Sequence, residues 1–188
     1  GTAMVLAGQV SAGLELLHDV RRQINENGTL AILTITEVPI GLAMVLNGEI
    51  AAGVRWLEAA ITTMSQLGNA YGVAVAHLAL GQIYGQIAAG KDMPALPVVL
   101  KNLIFFAGTM PFAKAKALDH FGAAIRSGRN SAFQGIEAEA LMYVGLLHKA
   151  KANLPEARRH LEQARDVAAT IEWRFITDKI GAELNAIG

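Results

Sequence analysis

An all-α protein assembled from stacked helical hairpins is the fold class predicted by the sequence, on three observations. Glycines and their packing partners recur at one spacing: Gly1, Gly41 and Gly81 are 40 residues apart, as are Gly8 and Gly48, Gly13 and Gly53, Leu17 and Leu57, and Val20 and Ala60. One glycine pair at a fixed offset would mean little, whereas several pairs at the same offset mark an internal repeat. The composition is 53% hydrophobic but only 6% aromatic and 17% charged, which excludes a disordered chain and favours closely packed helices over sheets. Turn residues punctuate the chain at helical lengths, at Asn27-Gly28, Asn47-Gly48, Leu67-Gly68-Asn69 and Asn153-Leu154-Pro155.

Taken in order, the periodicity predicts nine or ten helices, over about 1–7, 9–26, 29–47, 49–67, 70–89, 95–107, 111–127, 132–152, 154–170 and 173–187. The chain opens on Gly1-Thr2-Ala3-Met4-Val5-Leu6, already helical in pattern and without a capping residue, so it reads as a piece of a longer protein. Asn27-Gly28 reads as a helix stop and Thr29 as the next N-cap. Pro39 should kink or interrupt the third helix. Residues 59–90 carry no charged side chain, but Gln66, Asn69, His77, Gln82 and Gln86 interrupt them and Gly68 breaks them, so two amphipathic helices are expected there and no membrane span. Residues 90–97 are irregular and open an apolar insertion, containing Val98-Val99-Leu100 and Leu103-Ile104-Phe105-Phe106, that should form one extra helix serving as a spacer. Ser127-Gly128-Arg129-Asn130-Ser131 reads as a loop, and Pro155 as part of a first helical turn.

The fourth unit follows once the insertion is allowed for. Gly145 lies 64 residues after Gly81, one repeat plus 24, and Ala157, Leu161 and Ala164 then take the places of Gly13, Leu17 and Val20. In the third unit Ala117, Phe121 and Ala124 take those places, which puts the insertion between Gly85 and Ala113. The physical reason for the pattern is packing. Glycine inside a helix costs about 1 kcal/mol relative to alanine, so its regular return implies close helix approach, with larger residues (Met44, Leu57, Tyr84, Leu161) filling the space beside it.

The stretch Val144-Gly145-x-x-His148-x-x-x-Ala152-Asn153-Leu154-Pro155-Glu156-Ala157-x-x-x-Leu161-x-x-Ala164 resembles a tetratricopeptide repeat, and Leu80-Gly81-x-x-Tyr84 resembles its first helix. His148 and Met44 stand where that family usually has Tyr, and the period is 40 in place of 34. The resemblance implies a single TPR-like domain over 1–188, a right-handed α-α superhelix. Its units would be 1–27 (truncated), 29–68, 70–128 with an insertion at about 88–111, and 132–171, closed by a capping helix at 173–187. The longer period and the insertion are similar to the helical-repeat tail of bacterial multidomain signalling proteins in which a class III adenylate/guanylate cyclase domain and an ATPase-like domain precede the repeats. That implies a bacterial, cytoplasmic setting, with the cyclase's metal-binding and nucleotide-binding residues outside this chain.

Other chemistries find little support. Zero net charge, with four Lys/Arg against seven acids in residues 1–94 and twelve against nine beyond, leaves no nucleic-acid footprint. There is no cysteine, hence no disulfide, thiolate ligand or cysteine nucleophile. Gly85-Gln-Ile-Ala-Ala-Gly90-Lys91 matches the start of a phosphate-binding loop, but Asp92 replaces the needed hydroxyl and a helix precedes it. His18, His77, His120, His148 and His160 form no HExxH and no close pair with carboxylates at ligand spacing, and His148 reads as a packed core residue. Glu137 and Glu139 face apart, as do Asp119 and His120. Arg158, Arg159 and Arg165 interleave with Glu156, Glu162 and Asp166, a solvated face on which Glu162 should pair with Arg158 and Arg159.

No catalytic, cofactor or metal residues are therefore assigned. The family resemblance places partner contacts on the first helix of each unit: Ile35, Val38, Leu42, Val45 and Leu46; Val75, Leu78, Gln82, Gly85 and Gln86; Glu139, Met142, Leu146 and Lys149. The expected function is a non-catalytic protein-interaction or regulatory module whose partner is a protein, a peptide, another domain of the parent or a second copy of the chain. The competing expectation is a small-ligand or peptide effector-binding domain of an ATPase-type transcriptional regulator.

Overall fold

The computed structural model describes residues 1–26, 34–90, 94–130 and 133–187. Among them the regular structure is entirely helical: α1 (Thr2–Leu6), α2 (Val10–Glu26), α3 (Thr34–Leu46), α4 (Ile50–Gln66), α5 (Ala70–Ala89), α6 (Leu96–Lys101), α7 (Leu103–Thr109), a 3₁₀ turn (Met110–Phe112), α8 (Ala113–Asn130), α9 (Gln134–Ala150), α10 (Leu154–Thr170) and α11 (Arg174–Asn185). No described helix is long and apolar enough to cross a membrane. The charge-free run divides into α4 and α5 at the Leu67-Gly68-Asn69 turn, as expected.

One turn geometry recurs. A residue with positive φ follows the helix, its N–H bonds three residues back, and the next N–H reaches five residues back. The pattern is found at Gly8, Gly48, Gly68, Ala152 and Glu172, the double bond of a Schellman motif that satisfies the last carbonyls of a helix. At Gly48 the bonds are Gly48 N–H to Val45 O (3.0 Å) and Glu49 N–H to Met44 O (2.8 Å). Gly8 and Gly48 are one period apart. Ala152 follows Gly48, and Glu172 follows Gly68, by 104 residues, which is two 40-residue periods and the 24-residue insertion.

The helices form two compact units, Gly1–Ala79 with Pro94–Thr109, and Leu80–Met93 with Met110–Gly188. In the first, α1 to α4 pack in chain order, each on the next. A Cβ added to Gly1 would lie 2.6 Å from Leu17 Cγ, and one added to Gly41 would lie 2.6 Å from Leu57 Cγ. Gly13 and Gly53 answer from the second helix of each pair, against the Gly1 and Gly41 carbonyls. Val5, Leu17, Ile40 and Ala43 are buried together, with Trp56 against them. Glu37, also buried, accepts from Arg21 Nε at 2.5 Å, while its carbonyl accepts from Trp56 Nε1 at 3.1 Å. The Arg21 guanidinium lies over the Trp56 ring at 5.0 Å.

The insertion forms two short helices where one was expected. Asn102 ends α6 and is buried: its Nδ2 donates to Gly48 O and Val98 O (both 2.8 Å), and its Oδ1 accepts from Ala51 N at 3.1 Å. Glu49 makes no side-chain cap on α4, so Asn102 caps that helix from a distance and turns the insertion back at the same point.

In the second unit α8 to α11 pack in chain order, around Leu141, Met142, Leu161, Ile176 and Ile180. The third and fourth glycines repeat the geometry of the first two: a Cβ on Gly81 would lie 2.5 Å from Phe121 Cδ1, and one on Gly145 would lie 2.7 Å from Leu161 Cγ. Ala117, Phe121 and Ala124, assigned across the insertion by spacing alone, are all buried on α8.

Two local expectations are corrected. Residues 127–130 continue α8 and do not form a loop. Gly128 allows this, because a side chain there would meet Glu137 N at 3.0 Å and Phe133 O at 3.2 Å. Pro39, expected to kink or interrupt the third helix, lies inside α3 and does not interrupt it. The expected stop at Asn27-Gly28, the Thr29 cap, Lys91, Asp92 and Ser131 lie outside the described residues.

Candidate binding cleft in the second unit

A cleft of about 450 Å³ opens among α5, α8, α9 and α11. Gly85, Ala89, Phe121, Tyr143, Leu146, Leu147 and Ala150 supply its apolar wall, and Gln82, Gln86, Lys149 and Glu183 its polar groups. The space exists because α5 carries small residues on this face. At Gly85 even an added Cβ would only touch Phe121, at 3.7 Å. The Phe121 and Tyr143 rings are parallel, with centroids 5.9 Å apart. On the same helix as Gly85, Tyr84 is buried and stacks on His120 at 5.5 Å, with Lys116 Nζ 5.0 Å from its ring centre.

The electrostatics are balanced. Lys149 Nζ bonds Glu183 Oε2 at 2.8 Å, tying α9 to α11 along one wall. Half-buried Glu139, one turn from Tyr143, is held above the usual carboxylate range by burial, against the pull of Lys179. Burial, then the Glu139 charge, raises the Tyr143 phenol. Two amides, one phenol and one compensated ion pair on an apolar surface can orient a ligand by hydrogen bonds. They are the kind of sparse polar set that binding pockets carry.

Of the positions expected to touch a partner, Gln82, Gly85, Gln86, Leu146 and Lys149 line this cleft. Met142 is wholly buried in the core, Val38 and Leu78 are buried, and Glu139 and Val75 are half-buried and are not among the lining residues. In the first unit Ile35 (66% exposed) and Leu46 (62%) face solvent, with Leu42 and Val45 half-buried. Sequence reasoning missed Tyr143 and Glu183. Tyr143 could have been found, since it stands three residues before Leu146 on one helix face, whereas nothing local marks Glu183. The phosphate-loop look-alike is helical from Gly85 to Ala89.

The basic face of α10 also departs from expectation. Arg159 bonds Glu156 twice, at 2.6 and 3.1 Å, so it turns away from Glu162, which faces Arg158 at 3.9 Å. Both guanidinium donors converge on the one oxygen Glu156 Oε2, a charge-assisted contact. His148, Glu156 and His160 converge, with ligand atoms all within 4.8 Å of one another. The reading that no histidine pairs with carboxylates at ligand spacing is thereby corrected. Glu156 and His160 are four apart on one helix, a legible signal, and the α9–α10 turn delivers His148 to them.

No family model matches the chain, and no curated protein sequence matches it.

Proposed function

We propose that the chain is a non-catalytic binding module of a regulatory protein, a TPR-like right-handed stack of helical hairpins that takes a peptide segment of its partner in the cleft of the second unit. The observation that carries this reading is that cleft: an apolar wall around Phe121, Tyr143 and Leu146, rimmed by Gln82, Gln86 and Lys149. Peptide recognition needs apolar surface for side chains and separated amides for the backbone, and the lining supplies both. The resemblance to cyclase-linked repeat tails supports a partner among the other domains of a parent signalling protein. A volume of about 450 Å³ also falls within the roughly 300–1,000 Å³ of small-molecule sites, which favours a small effector as the second reading.

Selection of peptides from a displayed random library on the whole chain tests the proposal. Enriched peptides should bind the native chain and lose at least tenfold in affinity to a Gln82→Arg/Gln86→Arg variant that fills the rim. Enrichment of peptides indifferent to that variant, or no enrichment, would overturn it. Saturable uptake from a metabolite panel, blocked by the same variant, would establish the second reading.

A further inference from the structure

We propose that His148, Glu156 and His160 form a binding site for a divalent first-row transition ion such as Zn²⁺, clamping the end of α9 to the start of α10. The three side chains come from the two arms of one tight turn, and their ligand atoms lie within 4.8 Å of one another. Two imidazoles and one carboxylate are the donor set that borderline divalent ions prefer, and three protein ligands leave a further position for water.

Three details favour a ligand role over simple packing. First, His148 Nδ1 is shut off from solvent and has no hydrogen-bond partner, alone in this among the described side-chain atoms. Such an atom has lost its water without gaining a partner, a cost that coordination would offset. Second, His160 Nδ1 lies 2.9 Å from the Glu156 carbonyl. Donating there puts the ring's lone pair on Nε2, and ligating histidines are typically oriented by such a bond. Third, a cation already bridges these donors: Arg159 Nη2 stands 2.6 Å from Glu156 Oε2 and 3.1 Å from His160 Nε2. The guanidinium occupies the place a metal ion would take between carboxylate and imidazole.

His148 is held below the ordinary histidine range by burial first, then by the charges of His160, Lys114 and Arg159, against Glu156. The two rings are parallel, with centroids 5.4 Å apart. One of them must turn about χ2 for both lone pairs to meet at a point, and the ion must displace Arg159 from Glu156.

Calorimetric titration of the whole chain with ZnCl₂ at pH 7.5, beside Co²⁺ binding followed by visible absorption, tests the site. Saturable one-to-one binding is expected, with an EDTA-reversible rise in Tm. His148→Ala and His160→Ala should each weaken binding at least tenfold. Arg159→Gln, an exposed change that removes the competing cation, should tighten it several-fold. Circular dichroism shows whether each variant folds, and the Arg159→Gln result decides the matter even if a histidine variant does not. Absence of saturable binding, binding unchanged in the folded histidine variants, or unchanged affinity in Arg159→Gln would overturn the proposal.

Discussion

Gly145 packs on Leu161 so closely that a methyl group on the glycine would stand 2.7 Å from Leu161 Cγ and 3.1 Å from the Ala157 carbonyl. A branch carbon and a backbone oxygen have little room to retreat. Gly145→Ala gains about 1 kcal/mol of helix propensity but forces an overpacked contact of about 1–3 kcal/mol. A net loss of up to about 2 kcal/mol is expected in urea denaturation. Gly181→Ala is the control. Gly181 is inside α11 with nothing within 4 Å of an added Cβ, so it should stabilise by up to about 1 kcal/mol. Equal behaviour of the two variants would contradict close helix approach as the reason for the glycine spacing.

Ala152 holds the left-handed turn that Gly8 and Gly48 hold elsewhere, at φ 57°. Its side chain is exposed, so its removal sacrifices no packing. Ala152→Gly should raise stability by about 1 kcal/mol, read as a higher Tm. A lower Tm would show that the turn is not strained.

Asn102→Ala leaves Gly48 O and Ala51 N–H without their partner. The expected cost is about 2–3 kcal/mol, concentrated in the insertion. Limited proteolysis should cut between residues 96 and 109 faster than in the native chain, and an unchanged cleavage rate would refute the role given to this amide.

Glu139 has a raised pKa in the folded chain, so the fold holds its proton more tightly than the unfolded chain does. Its contribution to stability is present in acid and is lost as the pH climbs through the folded value. Glu139→Gln removes that loss. The variant should unfold at higher urea than the native chain at pH 7, with the advantage gone below about pH 4. An advantage that grows on acidification would reverse the sign argued here.

Glu183→Gln leaves the Lys149 ammonium uncompensated at the cleft. Both side chains are partly exposed, so the stability cost should stay under about 1 kcal/mol. Peptides selected on the variant should shift toward acidic residues, and an unchanged charge preference would separate this ion pair from recognition.

What could be read in advance depended on the range of the interactions. The glycine contacts at 1/17, 41/57, 81/121 and 145/161 were legible because a repeated spacing exposes them, even across the insertion. The Asn47-Gly48 turn and Pro155 in the first turn of α10 were legible because their chemistry is local. The break at Asn102 was not, since its partners lie about fifty residues away and propensity alone would carry the helix through. Residues 127–130 misled because Gly-Arg-Asn composition reads as a loop until Phe133 and Glu137 are seen against Gly128. Of the cleft lining, Gln82, Gly85, Gln86, Leu146 and Lys149 are among the positions the family resemblance marks, Tyr143 on the same face of α9 was passed over, and Glu183 needed the tertiary placement of α11.

The capping of α4 by Asn102 also imposes an order on synthesis. The amide that completes the first turn of α4 is encoded 51 residues after Ala51. At about 5–20 residues per second, translation delivers it roughly 3–10 s after that turn has been made. During this interval on the ribosome the beginning of α4 is open at one end, available to a chaperone or to a wrong neighbour, and the hairpin it belongs to becomes final only when a much later segment of the message has been read.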